Sequence, residues 1–507
     1  MSPPRRKNVA VIGAGWAGMA AALGAARAGH GVTVMEAART LGGRARAVHC
    51  ADARGNPLVL DNGQHILIGA YGECLRLMRE VGVDPHAAML RMPLSLRHAD
   101  GSGLRLPDCA PPWDALIGIA RARGWSAGER IALLKRAAAW RLEGFRCADA
   151  DSVADICGGL PRKLMDEFID PLCVSALNTV AAQSSARVFL RVIQDSLFSG
   201  RGGSNMLLPR VDLGELFPAP AARWLQARGH QVLSGHRVQD MQPAQAAHGH
   251  ARWLVDGQPF DAVILATAPL EAARLVQGAA GHHPHPCSLH AWAQTAQVLR
   301  FSAIATVYAQ TRDTHPARLA APMFALRPRA GQPAQFVFDR GQLGGPPGLL
   351  AFVVSAFEGE REALAGQVLA QAAAQLAMDG LAHVQTVVEK RATFCCTPGL
   401  VRPSMEIAPG LLACGDYVDG PYPATLEGAV LHGSNAARRL DADDGPQNVF
   451  TISTQPRWSA IGMSSKRWSA ACTEVQARAS AQKSPDFTPT LRDSGFAGGL
   501  RRCKSSQ

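Results

Sequence analysis

The spacing of apolar residues divides the chain into stretches of different character. Val9-Ala10-Val11-Ile12 is an unbroken apolar run of the kind a strand buried on both faces requires, and glycines follow it at once. The pattern predicts a parallel strand that turns directly into a helix. Gly31-Val32-Thr33-Val34-Met35-Glu36 repeats the strand pattern and closes on an acid. Residues from about 65 to 228 read as helix-rich. Strand patterns dominate from 288 to about 400, with a helix expected over Glu360 to Met378. Residues 112 to 145 read as an amphipathic helical pair in which Trp113, Leu116, Ile117, Ile119, Trp125, Ile131, Leu133, Leu134, Trp140 and Leu142 alternate with Arg121, Arg123, Arg130, Lys135, Arg136 and Arg141. From 441 to 507 periodicity lapses and Ser, Thr, Gln, Pro and charge take over, so disorder is expected there.

The glycines carry the first candidate chemistry. In Gly13-Ala14-Gly15-Trp16-Ala17-Gly18, Gly13 allows the tight turn, Gly15 lets the backbone approach a pyrophosphate, and Gly18 lets helix and strand pack closely. Free N–H groups at the helix start would then face phosphate oxygens. Glu36 falls about 20 residues on, where a carboxylate accepts from ribose hydroxyls and repels a 2′-phosphate. Strand, turn, helix and acid together predict a dinucleotide site.

Three further strings favour flavin adenine dinucleotide (FAD), and on them the sequence resembles the flavin-containing amine oxidase and phytoene desaturase superfamily. Leu41-Gly42-Gly43-Arg44 resembles that group's second glycine motif, whose arginine lies along the pyrophosphate. Asp261 to Pro269 resembles the return strand of the nucleotide domain, and Val232 to Val238 the strand whose backbone holds adenine. Gly415-Asp416 resembles the closing motif, whose aspartate holds the ribityl or phosphate part of FAD. The resemblance narrows at Asp61-Asn62-Gly63-Gln64-His65, Asp170-Pro171-Leu172-Cys173, Leu177-Asn178-Thr179, Leu207 to Leu213, and Gly420 to Ala429. These look like the squalene-associated branch, the hydroxysqualene dehydroxylases of squalene and hopanoid biosynthesis.

The resemblance implies an α/β fold: a Rossmann-like FAD-binding domain, a parallel sheet with helices, interleaved with an α+β substrate-binding domain. Residues 7–64, 230–272 and 401–440 are expected to form the first, and 65–229 and 288–400 the second, with 273–287 a loop and 441–507 a tail. It implies reductive removal of an allylic hydroxyl from hydroxysqualene, a C30 isoprenoid, by hydride from reduced FAD. No second glycine fingerprint follows a strand, so no NAD(P)H domain is expected and the electron donor is external and unidentified. Thr425 and Leu426 would begin a last helix whose N–H groups point at the flavin ring and stabilise its reduced anion. Glu427 either acts there or caps the helix. Hydroxide is a poor leaving group and needs an acid in a dry pocket. His65 and Tyr422 are the candidates, with Asp61 orienting or hydrogen-bonding within its motif; a satisfied core histidine and an aromatic wall are the competing readings. Asn178 is expected to shape the pocket, as are Arg210 and Asp212, which could equally form an internal ion pair.

Composition narrows the alternatives. The chain has 507 residues, 47% of them hydrophobic, enough for a large core. Its 12 cysteines are scattered, with Cys395 and Cys396 adjacent, which suits a reducing compartment better than a disulfide framework. Arg5-Arg6-Lys7 before an apolar stretch imitates a secretory signal, but removing it would destroy the glycine fingerprint, so cytoplasmic retention is expected. Net charge is +11. Nucleic acid is not an expected partner, because no basic-aromatic module is present. The 112–145 pair could instead lie on an anionic membrane face or simply cover the substrate domain. His282, His283, His285, Cys287 and His290 occupy a Gly/Pro-punctuated spacer without fixed ligand geometry, so no metal is expected. A flavin desaturase or amine oxidase running oxidatively, a prenyl-binding protein of the same fold without chemistry, and an NAD-dependent dehydrogenase remain as alternatives.

Overall fold

A computed structural model of the chain describes residues 5–51, 55–198, 200–244, 252–311 and 319–442. The tail expected over 441–507 lies outside the described residues from 443 onward. At the centre is a six-stranded sheet in the order Gln231–Ser234, Gly31–Glu36, Asn8–Ile12, Ala262–Leu265, Leu411–Ala413, Glu406–Ala408. The first five run parallel, and the last is an antiparallel edge. Val9, Val11, Val263, Ile264 and Leu411 are fully buried, as strands covered on both faces must be. Strands from three distant parts of the sequence therefore share one sheet.

The first helix, Trp16–Arg27, lies against the closing helix, Leu426–Ala442, with little between their backbones. A Cβ on Gly433 would come within 2.2 Å of the Ala17 carbonyl oxygen, so only glycine allows this approach. The same core takes in Leu67, Cys74, Leu77 and Met78 and, further on, Leu213, Phe217, Ala221 and Leu225. Trp16 and Phe217 rings stand 5.3 Å apart. The expected boundary at residue 65 thus does not divide the packing: parts of 65–229 complete the nucleotide-side core, because the first helix exposes an apolar flank that no strand covers.

The expected loop at 273–287 is corrected to helix. Pro269–Ala280 and Pro286–Gln297 are helices, each with proline in its first turn, and only 281–285 is left as a connection. Proline punctuation marks helix starts here, and Ala272, Ala273, Leu275, Val276, Ala279 and Ala280 give the first helix a buried face. The Val232 to Val238 strand is likewise shorter, ending at Ser234.

Residues 301–394 form a five-stranded antiparallel sheet, ordered Met323–Ala325, Phe336–Asp339, Leu349–Ser355, Phe301–Thr311, Leu381–Phe394. Helix Arg361–Leu376 covers one face, burying Leu364, Val368 and Ala372 against Val307 and Phe352. Strand alternation turns Tyr308 to the other face, toward the glycine-motif side of the molecule. Among the described residues no helix is long and apolar enough to cross a membrane.

Candidate active site

The glycine turn has the shape a dinucleotide needs. Gly13 has φ +108°, and a Cβ there would lie 2.7 Å from the Ala266 carbonyl oxygen. A Cβ on Gly18 would lie 1.9 Å from the Gly13 carbonyl oxygen, so helix and turn are in backbone contact. Gly15 differs: the nearest atoms to a Cβ would be Gly43 Cα at 3.9 Å and Gly42 O at 4.0 Å. It caps the first helix without any side-chain hydrogen bond, and no acid occupies that helix's first turn. Unneutralised N–H groups therefore open at Gly15 beside the Gly42-Gly43 backbone, an arrangement that suits a phosphate anion. Glu36 sits at its strand end with Oε2 accepting from Ala14 N at 2.7 Å and Oε1 from Ala38 N at 2.8 Å. Each oxygen keeps a lone pair for a ribose hydroxyl. Trp16 Nε1 donates to Ala45 O and its ring is buried against Phe217, and Ala17 is buried beside it. Val238 is buried and its carbonyl accepts from Arg274 at 2.9 Å.

The closing segment joins this turn directly. Arg44 forms an ion pair with Asp416 and donates to Ala392 O, while Cys414 N donates to Leu265 O beside the Gly13 turn. Asp416 is buried and needs that cation. Tyr417 stacks on Gly415, and its fully buried hydroxyl has no partner among the described residues. Thr425 caps the closing helix, donating to Tyr422 O at 2.7 Å and accepting from Gly428 N at 3.0 Å; Leu426 begins the helix. Glu427 does not cap its own helix. It is buried and accepts from Glu73 N at 2.8 Å and Cys74 N at 2.9 Å, capping the neighbouring helix Gly72–Glu80. Burial raises its pKa, against those two N–H groups.

The Asp61 motif forms a rigid shelf next to Arg44. Asp61 does not orient His65: its Oδ1 accepts from Leu213 N at 2.8 Å, Oδ2 lies 3.9 Å from Arg340, and its carbonyl accepts from Tyr308. Burial pushes its carboxyl up to about 6, with Arg340 and the Leu213 N–H pulling back. Gln64 is clamped between Tyr308 at 2.8 Å and Arg340 at 3.3 Å. His65 is half-buried, and its Nδ1 faces Gly63 O at 3.1 Å. A carbonyl only accepts, so the ring proton is assigned to Nδ1 and Nε2 is left free as an acceptor. Burial lowers the His65 pKa, the Gly63 carbonyl opposes this, and Arg44 adds to the lowering. Thr306, fully buried beside Gly63, has a hydroxyl without a partner among the described residues.

Tyr422 stands elsewhere in the site. Its backbone has φ +58°, Arg191 lies 5.5 Å over its ring, and its hydroxyl bonds the Arg191–Asp195 pair. Burial first, then Asp195, raises its pKa. No hydrogen bond joins His65, Tyr422 and Asp61 to one another among the described residues. Asn178 adopts φ +52° and accepts from Ala356 N at 2.8 Å, tying the helical part to the sheet. Asp212 caps Gly214 and Glu215 rather than pairing with Arg210.

Sequence reasoning missed Tyr71, which bonds Thr425 and lies near Tyr422, and Tyr308, Thr306 and Arg340. Scarcity was the available signal. The chain has only 4 tyrosines, and Tyr71, Tyr308, Tyr417 and Tyr422 all border this site. Among the described residues no group of His, Cys, Asp and Glu is placed to hold a metal; His283 stacks on Trp253 and His290 Nδ1 faces Pro286 O.

A glycine turn open at Gly15, met by a distant Gly-Asp segment beside an antiparallel sheet, is an arrangement that suits a flavin-dependent oxidoreductase. Residues 16–441 match the family model described as flavin containing amine oxidoreductase, and the chain belongs to that family, with FAD as its cofactor. It is 29% identical over 464 residues to a hydroxysqualene dehydroxylase of Rhodopseudomonas palustris, covering 85% of this chain and 97% of that protein. It is 27% identical to one of Zymomonas mobilis, covering 84% and 97%. Cyclohexylamine oxidase from Brevibacterium oxydans shares the fold, with TM-score 0.60 and 14% identity over 87% of this chain and 99% of that one.

Proposed function

We propose that this FAD-dependent oxidoreductase converts hydroxysqualene to squalene, a step toward hopanoids, by replacing the allylic hydroxyl with hydrogen. Similarity along 97% of the length of two hydroxysqualene dehydroxylases carries the reading. The slot residues assigned to FAD are Gly13 to Gly18, Glu36, Gly42 to Arg44, Val238, Gly415, Asp416, Thr425 and Leu426. Bound reduced FAD supplies the hydride. The C–O bond breaks, the departing hydroxyl takes one proton and leaves as water, and the carbon gains one hydride, so atoms and charge balance.

The chain's own residues must supply that proton and keep water from the carbon. His65 is held neutral at neutral pH by burial, with its proton engaged on Gly63. It therefore accepts from the substrate hydroxyl through Nε2 rather than protonating it. Tyr422, with a raised pKa, keeps its proton across the physiological range; its hydroxyl must leave the Asp195 carboxylate to protonate the substrate, and Arg191 then offsets the charge of the phenolate. Tyr422 is assigned as acid, His65 as the orienting acceptor, and Asp61 as the support of the shelf through Leu213 and Tyr308. Because the substrate is a C30 isoprenoid alcohol with a long apolar chain, the same reading has the enzyme meeting a membrane surface from the cytoplasm.

Anaerobic incubation of the photoreduced holoenzyme with hydroxysqualene, read by product mass, tests this. The expected product has lost one oxygen and kept its hydrogen count. A product that has lost two hydrogens, formed only by oxidised enzyme, would instead favour a desaturase.

A further inference from the structure

The helical pair at 113–142 presents a face for which packing gives no account. In Trp113–Ala120 the only acid, Asp114, turns inward and is 2% exposed. The opposite side carries Trp113, 62% exposed, with Leu116, Ile117 and Ala120, and no charge at all. The next helix, Ala127–Leu142, starts at a Ser126/Glu129 capping box and buries Leu133 and Trp140. Its outer stripe is Ile131, Lys135, Ala138 and Leu142, with Leu142 89% exposed. Two adjacent helices thus offer water a largely apolar surface that carries Lys135, with exposed Arg141 beside Leu142. A helix that only covered the substrate domain would turn its polar side outward.

An arginine cleft adjoins this face. Arg97, Arg105, Arg121 and Arg123 line a cavity of about 370 Å³. Strand Ser95–Arg97 pairs with Gly103–Arg105, and Gly103 bridges in turn to Arg123. The Arg97 and Arg123 guanidinium groups both flank Gly101. Gly118 packs against Leu106 and the Arg105 carbonyl, and Arg121 ends the Trp113 helix, so the cleft and the apolar face are continuous. The acid lining the same cavity, Asp108, lies 3.6 Å from Arg201. Among the described residues Arg105, Arg121 and Arg123 form no ion pair, whereas exposed Arg76, Arg162, Arg223 and Arg274 each have a carboxylate partner. Four guanidinium groups around one carboxylate that already faces Arg201 leave a net positive charge, which favours an anion.

We propose that this surface docks the enzyme on a bilayer containing anionic phospholipid, with lipid phosphates in the arginine cleft and Trp113, Leu116, Ile131 and Leu142 in the acyl boundary. Apolar groups bordered by unpaired guanidinium groups match the layering of such an interface. The choice of lipid over a protein partner rests on the isoprenoid-substrate reading above.

The test is cosedimentation of the FAD-loaded enzyme with phosphatidylcholine vesicles, with and without phosphatidylglycerol, at low and high salt. Binding is expected only with phosphatidylglycerol and is weakened by salt. Arg105→Gln, Arg121→Gln and Arg123→Gln should each weaken it roughly fivefold, and Trp113→Ser and Leu116→Ser about tenfold each, all with wild-type flavin content. Those variants should still turn over detergent-dispersed hydroxysqualene normally, but slow on vesicle-embedded substrate. Equal binding to neutral vesicles, wild-type binding by both groups of variants, inorganic phosphate binding without vesicle binding, or a dimer dissociated by Trp113→Ser would each overturn the proposal. Failure to reduce hydroxysqualene with vesicle binding intact would end the catalytic reading and leave the docking surface standing.

Discussion

Gly15→Ala separates the cofactor slot from the fold that builds it. Gly15 has φ −73° and ψ −179°, extended backbone open to any L-residue, and its new methyl would meet nothing closer than 3.9 Å. Restricting the unfolded chain should then raise apoprotein stability by about 0.4–1 kcal/mol. On the proposed assignment, the same methyl would stand where the FAD pyrophosphate approaches the Gly15 backbone beside Gly42 and Gly43. Overpacking of that kind costs about 1–3 kcal/mol, a roughly 5- to 150-fold loss of flavin affinity. Gly18→Ala is the control, because its methyl would collide at 1.9 Å with the Gly13 carbonyl and damage the fold itself. The assay compares flavin absorbance per polypeptide, the Kd of stripped protein for FAD by fluorescence quenching, and thermal unfolding of the stripped forms. A wild-type Kd in Gly15→Ala would refute the slot assignment, and so would a flavin loss matched by a lower apoprotein Tm.

Other consequences follow from single contacts. Glu427→Ala strips the acceptor from two N–H groups of helix Gly72–Glu80 and should destabilise the protein by about 2 kcal/mol or more, seen as an earlier denaturant midpoint; an unchanged midpoint would mean that water replaces the cap. Asp61 has a folded pKa of about 6, raised from 3.8, so between these values the native state holds a proton that the unfolded state has lost. Its contribution to stability is therefore greatest below about pH 4 and is lost as pH rises to about 6, by about 3 kcal/mol in all. Asp61→Asn should remove that dependence, and parallel stability profiles for the two proteins from pH 4 to 7 would contradict it. Tyr422→Phe should slow dehydroxylation by about a hundredfold or more with flavin retained. His65→Ala should mainly weaken substrate binding. A normal rate in Tyr422→Phe would remove it as the acid.

Local chemistry was legible in the chain where a residue type has one use. Gly13 and Gly18 after Val9–Ile12 specify a strand, turn and helix because only glycine satisfies a positive φ and a backbone contact in those places, whereas Gly15 is open to any residue as far as the fold is concerned. Glu36 follows from the length of one helix and one strand. Proline misled at 286, since the same residue that punctuates a spacer also starts a helix.

What the sequence alone determined, then, was the nucleotide turn, the two strands that frame it, and the family strings at Asp61–His65 and Gly420–Ala429. Only the tertiary structure decided that Arg44 meets Asp416 across 372 residues, that Glu427 caps a helix other than its own, and that Asp61 supports Leu213 and Tyr308 instead of His65. The physical reason is range. Backbone conformation and periodicity are set by neighbours a few residues away, whereas the partner of a buried charge is set by which distant strands lie side by side, and no spacing in the chain encodes that.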